Sequence, residues 1–270
     1  MDCRVILLGT GTPNPDPKRS GPSVAIVSDD SVYIVDFGPG VVRQAAAAGI
    51  KMAQLKRAFL THLHSDHTVG YPDLIYTPAV TGRIEPLEVY GPPGLNKMTE
   101  YIKSAYAEDI EERLSGLEPA IADGYVVNAV EIAEGIVYQD LKIAVEAFTV
   151  DHGSLEAFGY KFSTPEKTIV VSGDTRPSPK LIENAKGCDV LIHEVYTAVG
   201  LLERSEEWKK YHRAVHTSTY ELAKIANIVK PSLLVLYHQL MWNRTEIELV
   251  QEITSLYSGE VVSGKDLDIF

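Results

Sequence analysis

The run "LTHLHSDHTVG", Leu60 to Gly70, constrains the fold more than any other part of the sequence. It puts three of the chain's eight histidines and an aspartate between His62 and His67. The order His, x, His, x, Asp, His does not fit one face of a helix, where side chains meet at three or four residues' separation. On an extended segment, positions two apart point the same way, so His62 and His64 converge on one ion while the chain turns and offers Asp66 and His67 to a second. Imidazole and carboxylate together suit zinc and, less specifically, manganese or iron. The alternative is a loop with surface histidines.

The surrounding pattern supplies strands to hold such a loop. "CRVILLG", "SVAIVSDD", "SVYIVDFG" and "KRAFLTHLH" are short apolar or β-branched runs broken by Gly, Asp and Ser. "GVVRQAAAAGIKMAQL" predicts a helix between the last two. A second set follows: strands in "IVYQDLKIAVEAFTVDH", "FGYKFST", "TIVVSGD", "DVLIHEV" and "SLLVLYHQ", and helices in "PSPKLIENAKG", "TSTYELAKIANIVK" and "NRTEIELVQEITSLYSG". Strands followed by helices in both halves predict an α/β sandwich, two sheets face to face with helices outside, in one domain of two layered halves. "NKMTEYIKSAYAEDIEER" predicts an exposed helix that serves as scaffold, oligomer contact or cleft wall. "GLLERSEEWKKYHRAVH" predicts a solvated helix, with a substrate-facing lid as the alternative.

Composition narrows the function. The 270 residues are 45% hydrophobic, enough for a proper core. A net charge of -12 gives no basic footprint for a phosphate backbone and disfavours a nucleic-acid partner. The two cysteines, Cys3 and Cys188, cannot make a disulfide framework and read as buried or idle thiols. The opening "MDCRVILLGTGTPNP" has too short an apolar run for a signal peptide, and no run reaches membrane-spanning length, so a cytoplasmic protein with no membrane partner is expected. "GTGTPNP" lacks the lysine of a phosphate loop, and Pro13, Pro15 and Pro17 block the helix of a dinucleotide fingerprint. Asp36, after a strand, either orients a metal-bound histidine or is an ordinary turn aspartate.

"HLHSDH" resembles the signature loop of the metallo-β-lactamase superfamily, whose fold is a four-layer αβ/βα sandwich, here filled by a single domain of residues 1–270. The resemblance implies two zinc ions held by His62, His64, Asp66 and His67 with His152 in "FTVDHG", a bridging Asp174 in "SGDT", and His238 in "LLVLYHQ". Each of these last three is expected where an apolar strand ends. "LLGTGTPNPDPKRSGPS", "DFGPG", "SGDT", "HE" at His193 and Glu194, and "HTS" at His216 are similar to the ribonuclease Z and arylsulfatase-like branch. That similarity makes His216 the preferred proton donor, with Glu194 tuning it; read alone, His216 is a helix N-terminal residue beside a cap.

The implied activity is hydrolysis of an ester by a hydroxide generated between two metals, with Asp66, His216 and Glu194 as catalytic residues. Many members of the branch carry a long tRNA-gripping arm between the third histidine and the bridging aspartate. Here that interval, "GSLEAFGYKFSTPEKTIVVSG", is ordinary strand and turn. A small phosphodiester, sulfate ester, carboxylic ester or lactone is therefore the expected substrate, and an armless ribonuclease Z-like tRNA 3′-end endonuclease the alternative. A redox or binding role on the same fold would need altered ligands or an electron-carrier domain, and neither is present in the sequence. By resemblance the protein is a homodimer.

Overall fold

A computed structural model describes residues Cys3–Phe270. The chain divides into two compact units: residues up to Gly9 with Asp16–Ile132 and Asp266–Phe270, and Thr10–Pro15 with Ala133–Lys265.

The first unit is built on a six-stranded sheet in sequence order, β1 (Cys3–Gly9), β2 (Ser23–Ser28), β3 (Ser31–Val35), β4 (Arg57–Phe59), β5 (Leu87–Gly91) and β6 (Val127–Glu131). The first three strands are antiparallel and the last three run parallel. β2 and β3 join through Asp29–Asp30, and Asp29 takes the positive φ of 49° that a two-residue hairpin turn requires. Its helices are α1 (Val41–Ala47), α2 (Ser65–Thr68), α3 (Tyr71–Thr81), α4 (Leu95–Ala105) and α5 (Ala107–Ser115). Ile6, Leu8, Ala25, Val27 and Ile34 from the sheet pack with Val41, Ala45, Leu74 and Ile75 from α1 and α3. Fully buried Arg83 donates to the carbonyls of Leu55, Leu74, Ile75 and Gly124, at 2.6–3.2 Å, and ties α3 to two loops.

The second unit holds a seven-stranded sheet in the order β13-β12-β11-β10-β9-β8-β7. Its strands are β7 (Gly135–Gln139), β8 (Ala144–His152), β9 (Leu155–Ser163), β10 (Thr168–Val171), β11 (Val190–Tyr196), β12 (Leu233–Leu240) and β13 (Val261–Ser263). β7 to β10 pair antiparallel and β10 to β13 parallel. The parallel part needs crossovers, supplied by α6 (Pro179–Ala185), α7 (Ala198–Leu201), α8 (Glu206–Val215), α9 (Thr219–Val229) and α10 (Glu246–Thr254). α9 and α10 each start with a capping box, Ser218 with Glu221 and Thr245 with Glu248, which satisfies N–H groups the helix leaves unbonded. Leu222, Ile225, Ala226 and Val229 of α9, at helical spacing, pack on Leu191, Leu234 and Leu236 of the sheet.

Three expectations change in detail. The exposed helix of residues 96–113 is two helices broken at Tyr106, and the 200–216 segment is α7 followed by α8. α3 was not anticipated: Pro72 and Pro78 argue against a helix, yet Pro72 falls in the first turn, where no N–H is needed. Both cysteines are buried thiols outside any disulfide. No helix among the described residues is long and apolar enough to cross a membrane.

Candidate metal centre

In the first unit the histidine-rich run leaves β4, stays extended through His64, and enters the single turn of α2, which carries Asp66 and His67. His62 Nε2 lies 2.9 Å from His64 Nδ1, and His67 Nε2 lies 3.7 Å from Asp66 Oδ2. Buried Asp36 supports this group from below. Its Oδ1 accepts from Thr61 N at 2.8 Å, and its Oδ2 accepts from Thr61 Oγ1 at 2.9 Å and from His67 Nδ1 at 2.7 Å. A carboxylate on Nδ1 makes that nitrogen the N–H and directs Nε2 outward as the ligand atom. Asp36 holds a left-handed φ of 58°, a strained conformation kept by these three bonds.

Backbone packing fixes the same loop. A Cβ on Gly38 would sit 2.6 Å from the Asp66 carbonyl oxygen, and one on Gly70 would sit 2.3 Å from the Gly38 oxygen. The loop approaches this closely only because both positions are glycine.

In the second unit three elements bring their residues together on one carboxylate. His152 ends β8, Asp174 follows β10, and His238 belongs to β12. From Asp174 Oδ2 the distances are 3.6 Å to His238 Nε2, 4.0 Å to His152 Nε2 and 3.9 Å to His216 Nδ1. His152 and Asp174 are at strand ends as expected. His238 is not: β12 runs on to Leu240, and Glu194 pairs with Tyr237 while Val195 pairs with Gln239. His238 is the extra residue of a β-bulge, with φ of 45°, and the bulge re-aims its ring. His152 Nδ1 donates to Val215 O at 2.8 Å, which again directs Nε2 outward.

His216 caps the C-terminus of α8, two residues ahead of the N-cap of α9, so it is not the helix N-terminal residue considered from the sequence. Its Nδ1 lies 3.2 Å from Glu194 Oε1. The same oxygen accepts from Thr175 N and Thr217 N. Burial, with the negative Asp174 nearby, holds the Glu194 carboxyl well above the usual carboxylate range. Neighbouring His193 is fully buried, and burial pushes it down to about 4; it is neutral and structural.

The donor set fits a divalent metal. Zinc at about 2.0 Å from its nitrogen ligands places neighbouring donor atoms roughly 3.3 Å apart; the spacings in the first unit, 2.9 and 3.7 Å, bracket that value, and those in the second, 3.6 and 4.0 Å, lie somewhat above it. The fixed tautomers of His67 and His152 present unprotonated nitrogens, as ligation needs. Sequence reasoning named the candidate side chains and offered Asp36 as a support, but missed the close glycine packing and the Val215 carbonyl. The glycines of "DFGPG" and Gly70 were a readable signal for close packing. The Val215 carbonyl left none, because any residue supplies one.

A family model described as a β-lactamase superfamily domain matches residues 32–239. A ribonuclease Z of Mycobacterium bovis is 30% identical over 269 residues, covering 97% of this chain and 96% of the relative. Among solved structures, the metallo-β-lactamase fold protein YhfI of Bacillus subtilis superposes with a TM-score of 0.77 at 18% identity, covering all of both chains. The short form of human tRNase Z gives 0.74 at 21% identity, over 99% of this chain and 98% of that one. The fold is thus the metallo-β-lactamase α/β sandwich, and the buried His/Asp groups on it imply a divalent metal. With its pattern, its fold and its relatives in agreement, the chain belongs to the metallo-β-lactamase superfamily of hydrolases, in the ribonuclease Z branch.

Proposed function

We propose that the chain hydrolyses phosphodiesters with two zinc ions, which His62, His64, Asp66, His67, His152, Asp174 and His238 would hold. The observation that carries this reading is the second unit's arrangement, in which one carboxylate gathers His152, His238 and a glutamate-backed His216. Zinc bound there would polarise the phosphoryl oxygen and lower the pKa of a water towards about 7.

The chain's own residues do the rest. Asp66 accepts a hydrogen bond from the attacking water and orients it. Glu194 holds His216 by Nδ1, so the proton for the leaving oxygen comes from Nε2. Thr175 N and Thr217 N anchor Glu194, so the ring it holds cannot swing.

The relatives named ribonuclease Z favour an RNA phosphodiester. A small diester is favoured by the short connection from His152 to Asp174, which holds only β9, β10 and their turns, and by the net charge of -12. The zinc-loaded protein is tested on a precursor tRNA beside small phosphodiesters, sulfate esters and lactones. A kcat/KM highest for a small diester supports the reading. A tRNA value above every small substrate makes this an armless tRNA endonuclease, and preference for a sulfate ester or lactone refutes phosphodiester hydrolysis.

A further inference from the structure

α8 carries an aromatic face that the chemistry above does not use. Trp208 and Tyr211, one turn apart, are 49% and 41% exposed, and their rings meet edge to face at 5.7 Å and 87°. Two large rings in water are an expensive surface unless something covers them. Neighbouring groups hold Trp208 in place. The buried His212 ring stacks on Trp208 at 5.5 Å and 23° and packs on Trp242 at 4.6 Å. The Arg204 guanidinium lies over both indoles, at 5.7 and 5.8 Å. A rigid aromatic surface loses little entropy when a second ring is laid on it.

Position decides what that ring belongs to. His216 directly follows α8, and the Tyr211 ring centroid is 6.2 Å from that of His216. A proton donor works within about 3 Å of the oxygen it protonates, so the group departing on that oxygen must lie beside Tyr211. A pair of exposed aromatic rings at this place suits a planar group joined to the scissile phosphate through a sugar: a nucleobase.

We infer that Trp208 and Tyr211 form a stacking platform for the nucleobase on the leaving side of the scissile phosphodiester. The inference rests on the phosphodiesterase reading and on His216 as proton donor.

The test compares a dinucleoside monophosphate with two counterparts, each having one base replaced by hydrogen, so that the leaving alcohol keeps its sugar chemistry; the products identify the leaving side. Deleting the leaving-side base is expected to cost the zinc-loaded wild type about tenfold in kcat/KM, mainly through KM. Trp208→Ala and Tyr211→Ala should each erode that preference, while Tyr211→Phe retains it. Equal use of all three substrates by the wild type, or a preference intact in both alanine variants, overturns the platform. Quenching of Trp208 fluorescence in a Trp242→Phe background, titrated with the same three compounds, gives a readout independent of turnover. Base-dependent quenching without cleavage refutes the phosphodiesterase reading and upholds the platform; base-independent quenching refutes the platform even if cleavage occurs.

Discussion

Asp36 supports the metal centre without being one of the proposed ligands. It accepts three hydrogen bonds, and one of them sets the tautomer of His67. Asp36→Asn keeps the shape but places an amide against donors, so metal affinity should fall about 10- to 100-fold, measured by competition with a chelating dye. An unchanged affinity would mean that Thr61 and the strand end orient His67 unaided. His216 makes the opposite case. Its Nδ1 is taken by Glu194, so His216→Ala should lower turnover about 10²- to 10⁴-fold and leave metal content intact by elemental analysis. Loss of metal in that variant would make His216 a ligand. The histidine-rich run was legible because its residues are neighbours in sequence and their chemistry is specific. Asp36 was readable only as one of two alternatives, because its bond to His67 depends on how β3 and β4 pair.

Elements were legible where the local pattern and the tertiary need agree. β1 covers "CRVILLG" end to end, and the capping boxes of α9 and α10 stand where Ser218 and Thr245 announce them. α3 escaped because its prolines contradict its state, and tertiary contacts outweigh them. Arg83 is the clearest of those contacts: four carbonyls from α3 and two loops converge on one guanidinium. Burial lowers its pKa to about 10, still far above neutral, so it remains charged. Arg83→Ala would strand those carbonyls and should cost about 3 to 5 kcal/mol in urea unfolding, with lysine a poor substitute because it lacks the planar fork. A loss below about 1 kcal/mol would show that α3 is held by its apolar face alone.

For the molecule as a whole, the order of strands and helices identified the α/β class, because each half alternates its elements in a way few folds allow. The bulge at His238 was not foreseeable, since an insertion in pairing is defined by the partner strand. Acid sensitivity belongs to this scale as well. His193, with an ordinary pKa of 6.5, is pushed down to about 4 in the fold. The unfolded chain therefore binds the proton first, and stability present above pH 6.5 is lost as pH falls towards 4, by about 3 kcal/mol. His193→Asn keeps a donor for the Glu194 carbonyl and cannot titrate. Its unfolding free energy should vary less between pH 6.5 and 4 than the wild type's in the same metal state; identical slopes would assign the acid loss to other groups.

The carbonyl that pins His152 is that of Val215, the last residue of α8, and the next residue is His216. One turn of helix thus sets the aim of a proposed metal ligand and the place of the proposed proton donor, while the same helix presents Trp208 and Tyr211. Anything that stiffens that turn stiffens both. Substrate and metal are then linked ligands: a substrate that steadies α8 tightens the metal, and the metal, by reciprocity, tightens the substrate by the same factor.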